Sequence, residues 1–203
     1  MEIKRFLERL SSDTPTPGGG SASALAGTLS ASLILMTAGL SLKKGKMKRR
    51  ELRGMKKEVS AIQKRLFRAI EEDATSYEAV LKAFRLPKNT EKERLLRSKA
   101  IQKAYQKATV TPQLVCQQSI KLLDYSNALI LKGNPNALSD VGVAAFLADT
   151  AVKGGLLNIR INLGPVRDKS FRKKMHSLTA KLEKRRNQLM KNIQETLNKS
   201  LAI

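Results

Sequence analysis

The chain has 203 residues and a mass of 22.4 kDa, the size of one ordinary domain. Aromatic residues make up only 4% of it and Trp is absent, so a β-sandwich or barrel is not expected. Lys and Arg number 39 against 17 Asp and Glu, and the net charge of +22 favours polyanionic partners such as nucleic acid, an acidic membrane or a small polycarboxylate.

The first two predicted elements are a short amphipathic helix and a long uncharged one. Ile3, Phe6, Leu7 and Leu10 share one face of the first helix, and no apolar signal segment follows it directly. Residues 14–42 form an uncharged stretch that is long enough for a membrane span. Serines, threonines and glycines interrupt this stretch, so we expect a buried central helix over about residues 21–42 and a soluble protein.

The turn between these helices is rich in proline and glycine. Gly18, Gly19, Gly20 and Ser21 lie where the second helix begins, and backbone N–H groups at such a place bind carboxylates or oxyanions. A flexible turn with a serine cap explains the same residues without any ligand.

A third helix is predicted from a basic connector at residues 43–50 as far as Pro87, which cannot continue a helix. Its apolar stripe comprises Val59, Ile62, Leu66, Ile70, Tyr77, Val80, Leu81 and Phe84. Asp73 falls within this stripe and is expected to face the core. A carboxylate there is costly unless it is paired or used in chemistry, and burial raises its pKa toward the range of a general acid or base. Both interpretations, structural and catalytic, remain open.

A fourth helix begins at the capping box formed by Thr90 and Glu93, and the Gly-Pro turn at residues 133–136 closes it. Pro112 is expected to kink or split this helix near its middle. Cys116 lies in its second half and is expected to be a core or near-surface thiol. As the single cysteine of the chain, it forms no internal disulfide and suits a reducing, cytoplasmic location.

The next helix is poor in charge and runs to about Asn162. Ser139 and Asp140 stand at its start, where either is first of all an N-cap. Asn158 shares a face with Asn162, and two amides in an apolar segment need each other or a ligand as partners. Asp149, in the same helix, is a weaker candidate for a functional carboxylate.

Asp168 is expected to cap a last, basic helix that ends near Ser200. His176 lies among cations of this helix and is expected to be solvated.

The basic stretches 43–57 and 167–186 lack interleaved aromatic residues, so solvated helix faces explain them, and a nucleic-acid-binding module stays an alternative. No residue spacing indicates a metal site. These elements together predict a single all-α bundle of five to six helices, with a long, kinked fourth helix.

Four of these motifs, taken in order, resemble the cyclodeaminase/cyclohydrolase family of folate enzymes over nearly the whole chain. They are Thr14-Pro15-Thr16-Pro17-Gly18-Gly19-Gly20-Ser21, Asp73-Ala74 followed by Leu86-Pro87-Lys88-Asn89, Ser139-Asp140-Val141-Gly142-Val143-Ala144-Ala145, and Asn158-Ile159-Arg160-Ile161-Asn162-Leu163. The family's usual Asn-Leu-Thr-x-Gly-Lys-Lys-x-Tyr stretch is altered here to Gly39-Leu40-Ser41-Leu42-Lys43-Lys44-Gly45-Lys46-Met47.

The resemblance implies one helical domain over residues 1–203 that forms a homodimer, with a tetrahydrofolate derivative bound near the subunit interface. It implies catalytic roles for Asp73 and Asp140 in one site. The reactions of this family are expected to need no metal and no further cofactor. Substrate-binding roles are implied for Gly18, Gly19, Gly20, Ser21, Lys44, Lys88, Ser139, Asn158 and Asn162.

The expected reaction is hydrolysis of 5,10-methenyltetrahydrofolate to the 10-formyl form, because the chain carries no formiminotransferase half to supply a formimino substrate. Formiminotetrahydrofolate cyclodeamination, with release of ammonia, is the alternative within the family. A basic helical nucleic-acid-binding module and a non-catalytic folate-binding scaffold are the alternatives from other classes. A basic rim is expected to attract the carboxylates of the folate tail, which is often polyglutamylated.

Overall fold

The computed structural model describes residues 2–200 and contains seven α-helices, one turn of 3₁₀ helix and, within that range, no strand. The helices are α1 (Ile3–Leu10), α2 (Gly19–Lys44), α3 (Arg49–Phe84), α4 (Glu91–Ala108), α5 (Val110–Lys132), α6 (Leu138–Leu163) and α7 (Lys169–Ser200), and the 3₁₀ turn is Pro135–Ala137. The predicted all-α bundle is confirmed. The helix count exceeds the expected five to six because the long fourth helix is divided into α4 and α5.

Two antiparallel helices, α2 and α6, lie side by side at the centre of the bundle. The Ser30 hydroxyl of α2 donates to the Ala144 carbonyl of α6 at 2.7 Å. Gly19, the first residue of α2, lies beside Asn158 in the last turns of α6. Helix α3 flanks α2, α7 flanks α6, and α5 packs beneath both central helices. By length and composition alone α2 is apolar enough to cross a membrane, but here it packs against α3, α5 and α6.

The division between α4 and α5 falls at Thr109, three residues before the proline that was expected to cause it. Pro112 lies instead in the first turn of α5. Backbone N–H groups in a first turn have no acceptor within the helix, so the missing N–H of proline removes no helical hydrogen bond there. The start of α6 also differs from the prediction. Ser139 and Asp140 occupy its first turn, because the 3₁₀ turn makes Ala137 the N-cap.

The predicted apolar stripe of α3 is buried only over part of its length. Ile70 and Val80 are buried, whereas Tyr77 is 41% and Phe84 43% exposed. Helix α2 begins at Gly19, beside Asp73, and α3 continues for 11 residues beyond that point, a rise of about 16 Å. The last turns of α3 therefore have no central helix to cover them, and Asp73 is half-buried at the margin of the core.

The outer surface of the two central helices is apolar and exposed. Leu29, Met36 and Leu40 of α2 lie on it together with Val143, Phe146 and Leu157 of α6. We call this surface the α2–α6 face. Because residues 14–42 carry no charge, the part of this face that belongs to α2 is almost free of the positive charge that covers much of the chain.

Candidate active site

A cleft of about 390 Å³ opens at the end of the bundle where α2 begins and α6 ends, which we call the near end. This volume falls within the range of small-molecule binding sites. The cleft is lined by Pro15, Thr16, Gly18, Gly19, Gly20, Asp73, Ser76, Tyr77, Val80, Tyr105, Ala108, Asn158, Ile161, Asn162 and Pro165. Six residues singled out in the sequence therefore meet in one place, although they come from three separate segments of the chain.

The carboxyl group of Asp73 lies directly against the N-terminus of α2. A Cβ atom added to Gly20 would lie only 2.2 Å from its Oδ1 and 2.5 Å from its Oδ2. Only glycine leaves room for the carboxyl group at this position. The first N–H groups of α2 have no partner within the helix, and the positive end of the helix dipole favours a carboxylate beside them.

Burial raises the pKa of Asp73 above its ordinary value. Hydrogen bonds from the side chain and the backbone of Ser21 favour the carboxylate and lower the pKa, but by less than desolvation raises it. The result is a carboxyl group that holds a proton more readily than a solvated aspartate and borders a cleft. This combination of geometry and pKa suits a general acid or base.

Ser21 is fully buried and does not line the cleft. Its hydroxyl lies 2.8 Å from the carbonyl oxygen of Ile70 and 3.2 Å from Oδ2 of Asp73. The residue was expected to bind substrate. In the structure it contacts α3 and the Asp73 carboxyl group instead.

Asn158 and Asn162 both lie on the α6 wall of the cleft, as their shared face predicts. The Nδ2 of Asn158 donates to the Gly154 carbonyl at 2.8 Å, and that of Asn162 donates to the Ala108 carbonyl at 2.9 Å. Backbone carbonyl groups thus hold both amides in place, and the two amides do not bond to each other.

The aromatic wall of the cleft was not predicted from the sequence. Tyr77 of α3 and Tyr105 of α4 face it. Phe84 packs edge-on against Tyr105, and Arg97 lies over the Phe84 ring. The position of Tyr77, four residues after Asp73 and one turn along the same face, was the available signal.

Three predicted site residues lie at the opposite, far end of the bundle. Lys44 is the last residue of α2, and the backbone N–H of Asn134 donates to the Ser41 hydroxyl at 2.9 Å, which brings the start of α6 beside it. Ser139 and Asp140 therefore accompany Lys44. Asp140 is 18 residues from Asn158 along α6, a distance of about 27 Å. A single chain does not bring Asp140 and Asp73 together.

Lys88 also lies outside the cleft. It is exposed in the loop between α3 and α4 and does not line the cavity.

The remaining candidates have structural partners or are exposed. Asp149 is buried between α6 and α7, where both of its oxygens accept hydrogen bonds from Arg186 and Lys153 lies 3.2 Å away. Cys116 is buried, and desolvation raises the pKa of its thiol to about 12, so it is not a ready nucleophile. His176 is exposed. Within residues 2–200, no three His, Cys, Asp or Glu side chains are grouped to hold a metal.

The two most basic stretches lie at opposite ends of the bundle. Residues 43–57 form the far-end corner between α2 and α3 and the first turns of α3. Residues 167–186 begin at the near end, where the backbone N–H of Arg167 donates to Gln102 of α4 at 2.7 Å. Positive charge is therefore close to the cleft as well as to Asp140.

Comparison with known proteins identifies relatives over almost the whole chain. The family model described as formiminotransferase-cyclodeaminase matches residues 2–197. A methenyltetrahydrofolate cyclohydrolase from Methylorubrum extorquens is 35% identical over 173 residues, which are 83% of this chain and 82% of that protein. A formimidoyltransferase-cyclodeaminase from Mus musculus is 30% identical over 176 residues, 86% of this chain but 32% of that longer protein.

The fold also has a solved counterpart. The crystal structure of a formiminotetrahydrofolate cyclodeaminase from Thermotoga maritima superposes with a TM-score of 0.89 and covers 99% of this chain and 98% of its own. The sequence identity is 24%, so this likeness concerns the fold.

Proposed function

Because this chain belongs to the formiminotransferase-cyclodeaminase family, we propose that it is a folate enzyme acting on the one-carbon bridge between N5 and N10 of tetrahydrofolate. The reaction is hydrolysis of 5,10-methenyltetrahydrofolate to 10-formyltetrahydrofolate. The observation that carries the proposal is Asp73, a carboxyl group of raised pKa on the wall of a cleft of suitable size. The cyclohydrolase relative, most of whose length this chain covers, supports the choice of reaction.

Asp73 supplies both the charge and the base that this reaction requires. The methenyl bridge is an amidinium cation, which a neighbouring carboxylate stabilises. Water attacks the bridging carbon, and Asp73 takes the proton that the water loses. The same carboxylic acid then protonates N5, the bond between N5 and the carbon breaks, and the carbon oxygen loses its remaining proton to solvent as the formyl group forms on N10.

The cleft walls suit the flat ring systems of a folate. Tyr77 and Tyr105 provide aromatic surface, and Asn158 and Asn162 provide amide groups. Aromatic side chains stack well on such rings, and the fixed amides offer hydrogen bonds to their polar edges. Positive charge near the cleft attracts the carboxylates of the folate tail, including polyglutamate.

Cyclodeamination of formiminotetrahydrofolate is the second candidate, favoured by the relatives that bear that activity in their names. There N10 attacks the formimino carbon and ammonia leaves, so one acid and one base are required around the same carbon. Asp73 fits that chemistry equally, and only the product distinguishes the two reactions.

The proposed enzyme is a homodimer, and the α2–α6 face supports this arrangement. Two chains that each carry +22 repel one another over most of their surfaces, and the α2 part of this face lacks that charge. A two-fold axis perpendicular to α2 sets the far end of one chain against the near end of its partner. Lys44, Ser139 and Asp140 of one chain then approach the cleft that holds Asp73 of the other.

Loss of the methenyltetrahydrofolate absorbance band, followed with and without the protein, tests the hydrolysis. A parallel assay measures ammonia released from formiminotetrahydrofolate. In Asp73→Asn we expect turnover to fall by about 10²-fold or more, the usual contribution of a general base. Activity within about threefold of the parent at matched folding, less than ~1 kcal/mol of barrier, would refute a catalytic Asp73.

A further inference from the structure

We propose that Ser21 is a positioning residue that holds Oδ2 of Asp73 in both protonation states and leaves Oδ1 to meet the substrate. This inference rests on the proposed function of Asp73. The resemblance implied that Ser21 binds substrate, but its side chain is 0% exposed and does not line the cleft. Whatever it contributes to the reaction therefore passes through the group it touches.

The contacts of Ser21 place one hydroxyl between two oxygens of α3. The Ile70 carbonyl oxygen lies 2.8 Å from Oγ and Asp73 Oδ2 lies 3.2 Å from it. Ile70 and Asp73 are three residues apart on one helix, so the carbonyl group and the carboxyl group lie on the same side of α3. A hydroxyl has one proton to donate and two lone pairs that accept, and it rotates to suit its neighbours.

This geometry serves each protonation state of Asp73. When the carboxyl group is ionised, the Ser21 hydroxyl turns to donate to Oδ2. When Oδ1 takes up the proton, Oδ2 becomes the carbonyl oxygen of the acid and still accepts a hydrogen bond from the Ser21 hydroxyl. The side chain therefore keeps one hydrogen bond to Oδ2 while the proton arrives from water and leaves to N5.

The other carboxyl oxygen is left for the substrate. Within residues 2–200 no side chain donates to Oδ1. Both carboxyl oxygens lie beside Gly20, where a Cβ atom would come within 2.2 Å of Oδ1 and 2.5 Å of Oδ2. Gly20 lines the cleft and Ser21 does not. Oδ2 is thus held by the buried Ser21 hydroxyl, while Oδ1, to which no described side chain donates, is the oxygen left to meet the substrate.

The test is Ser21→Ala, assayed for turnover as a function of pH. A hydrogen bond to a carboxylate is roughly twice as strong as one between neutral groups, so losing it costs the ionised form more than the acid. We expect the limb of the pH profile that reports ionisation of Asp73 to move to higher pH. We expect kcat to fall by about 10- to 100-fold with KM nearly unchanged, because Ser21 does not line the cleft and its substitution leaves the substrate-binding surface in place.

Ser30→Ala is the matched control. Ser30 lies on the same helix, is also 0% exposed, and also donates to a carbonyl of a neighbouring helix, that of Ala144. It loses a similar hydrogen bond without any contact to Asp73, so the pH profile should stay in place. An equal shift in both variants would overturn the proposal.

A second readout keeps this test separate from the proposed function. The ionisation of Asp73 is followed directly by carbon NMR of its side chain, assigned with Asp73→Asn, in the folded protein and in Ser21→Ala. An upward shift supports the proposal even if no folate is turned over, and an unchanged midpoint refutes it. If Ser21→Ala does not fold, Ser21→Cys retains the side-chain size with a weaker donor and is expected to shift the midpoint in the same direction.

Discussion

The half-buried carboxyl group of Asp73 works against the stability of the folded chain at neutral pH. Its pKa is raised above the ordinary value of 3.8 because burial removes water from the ionised form. The folded state consequently binds a proton that the unfolded state releases, and stability declines as the pH rises through this window. Below the ordinary pKa both states hold the proton and the penalty disappears.

Asp73→Asn is therefore expected to be more stable than the parent above the raised pKa, although its turnover falls by about 10²-fold or more. Asparagine has nearly the same shape, accepts a hydrogen bond from Ser21 and carries no charge to desolvate. Urea unfolding at pH 3 and pH 7.5 measures the effect, which should grow between the two. The exposed Asp13→Asn serves as control, with no such growth. A variant less stable than the parent by the same amount at both pH values would contradict the expectation.

How far the sequence predicts individual site residues depends on the range of the contacts. The helical period placed Asp73 on the inner face of α3, and the four-residue spacing placed Asn158 and Asn162 on one wall. The contact between Ser21 and Asp73 joins residues 52 positions apart. No local sequence pattern encodes such a pair. The contact of Ser21 with the Asp73 carboxyl group can therefore be recognised only once the fold is known.

Among the helices, boundaries set by local chemistry were predicted well. The capping box of Thr90 and Glu93 is present at the start of α4, and Asp168 accepts a hydrogen bond from the Phe171 backbone at the start of α7. The break at Thr109 was displaced from Pro112, because proline in a first turn is compatible with a helix. Its position depends on how α4 leaves the bundle, which is a tertiary property.

Asp149 of α6 forms a buried ion pair with α7, and its removal is expected to lower the free energy of unfolding. Asp149 and Arg186 are paired through two hydrogen bonds at a site that is mostly buried. Removing one partner leaves a charge with little solvent, so Asp149→Ala should lower the free energy of unfolding by about 3 kcal/mol. Chemical denaturation measures this, and turnover of the remaining folded protein should be unchanged.

The exposed pair of Arg160 and Glu183 joins the same two helices and provides the comparison. Both side chains are about half exposed, and such pairs contribute at most about 1 kcal/mol. Glu183→Ala should therefore be close to neutral. Equal losses in the two variants would mean that burial does not decide the strength of this attachment.

At the scale of the whole molecule, the antiparallel packing of α2 and α6 is what the sequence did not reveal. The Ser-Asp motif and the glycine-rich turn each start a helix, and their order along the chain does not say that they end up at opposite ends. In one chain the two aspartates expected in a single site are separated by most of the length of α6. The homodimer proposed above, formed across the α2–α6 face, would remove this separation, because the far end of one chain would then meet the near end of the other.

Mixed dimers distinguish a shared site from a site within one chain. Asp73→Asn and Asp140→Asn are each expected to be inactive as homodimers. In a heterodimer purified with two different tags, one cleft is doubly altered and the other combines the intact Asp73 of one chain with the intact Asp140 of its partner. That dimer should regain about half of the parental turnover, since one of its two sites is complete. Sites confined to single chains would leave it inactive. Adding Met36→Glu to both chains introduces charge into the α2–α6 face and should abolish the regain together with the dimer.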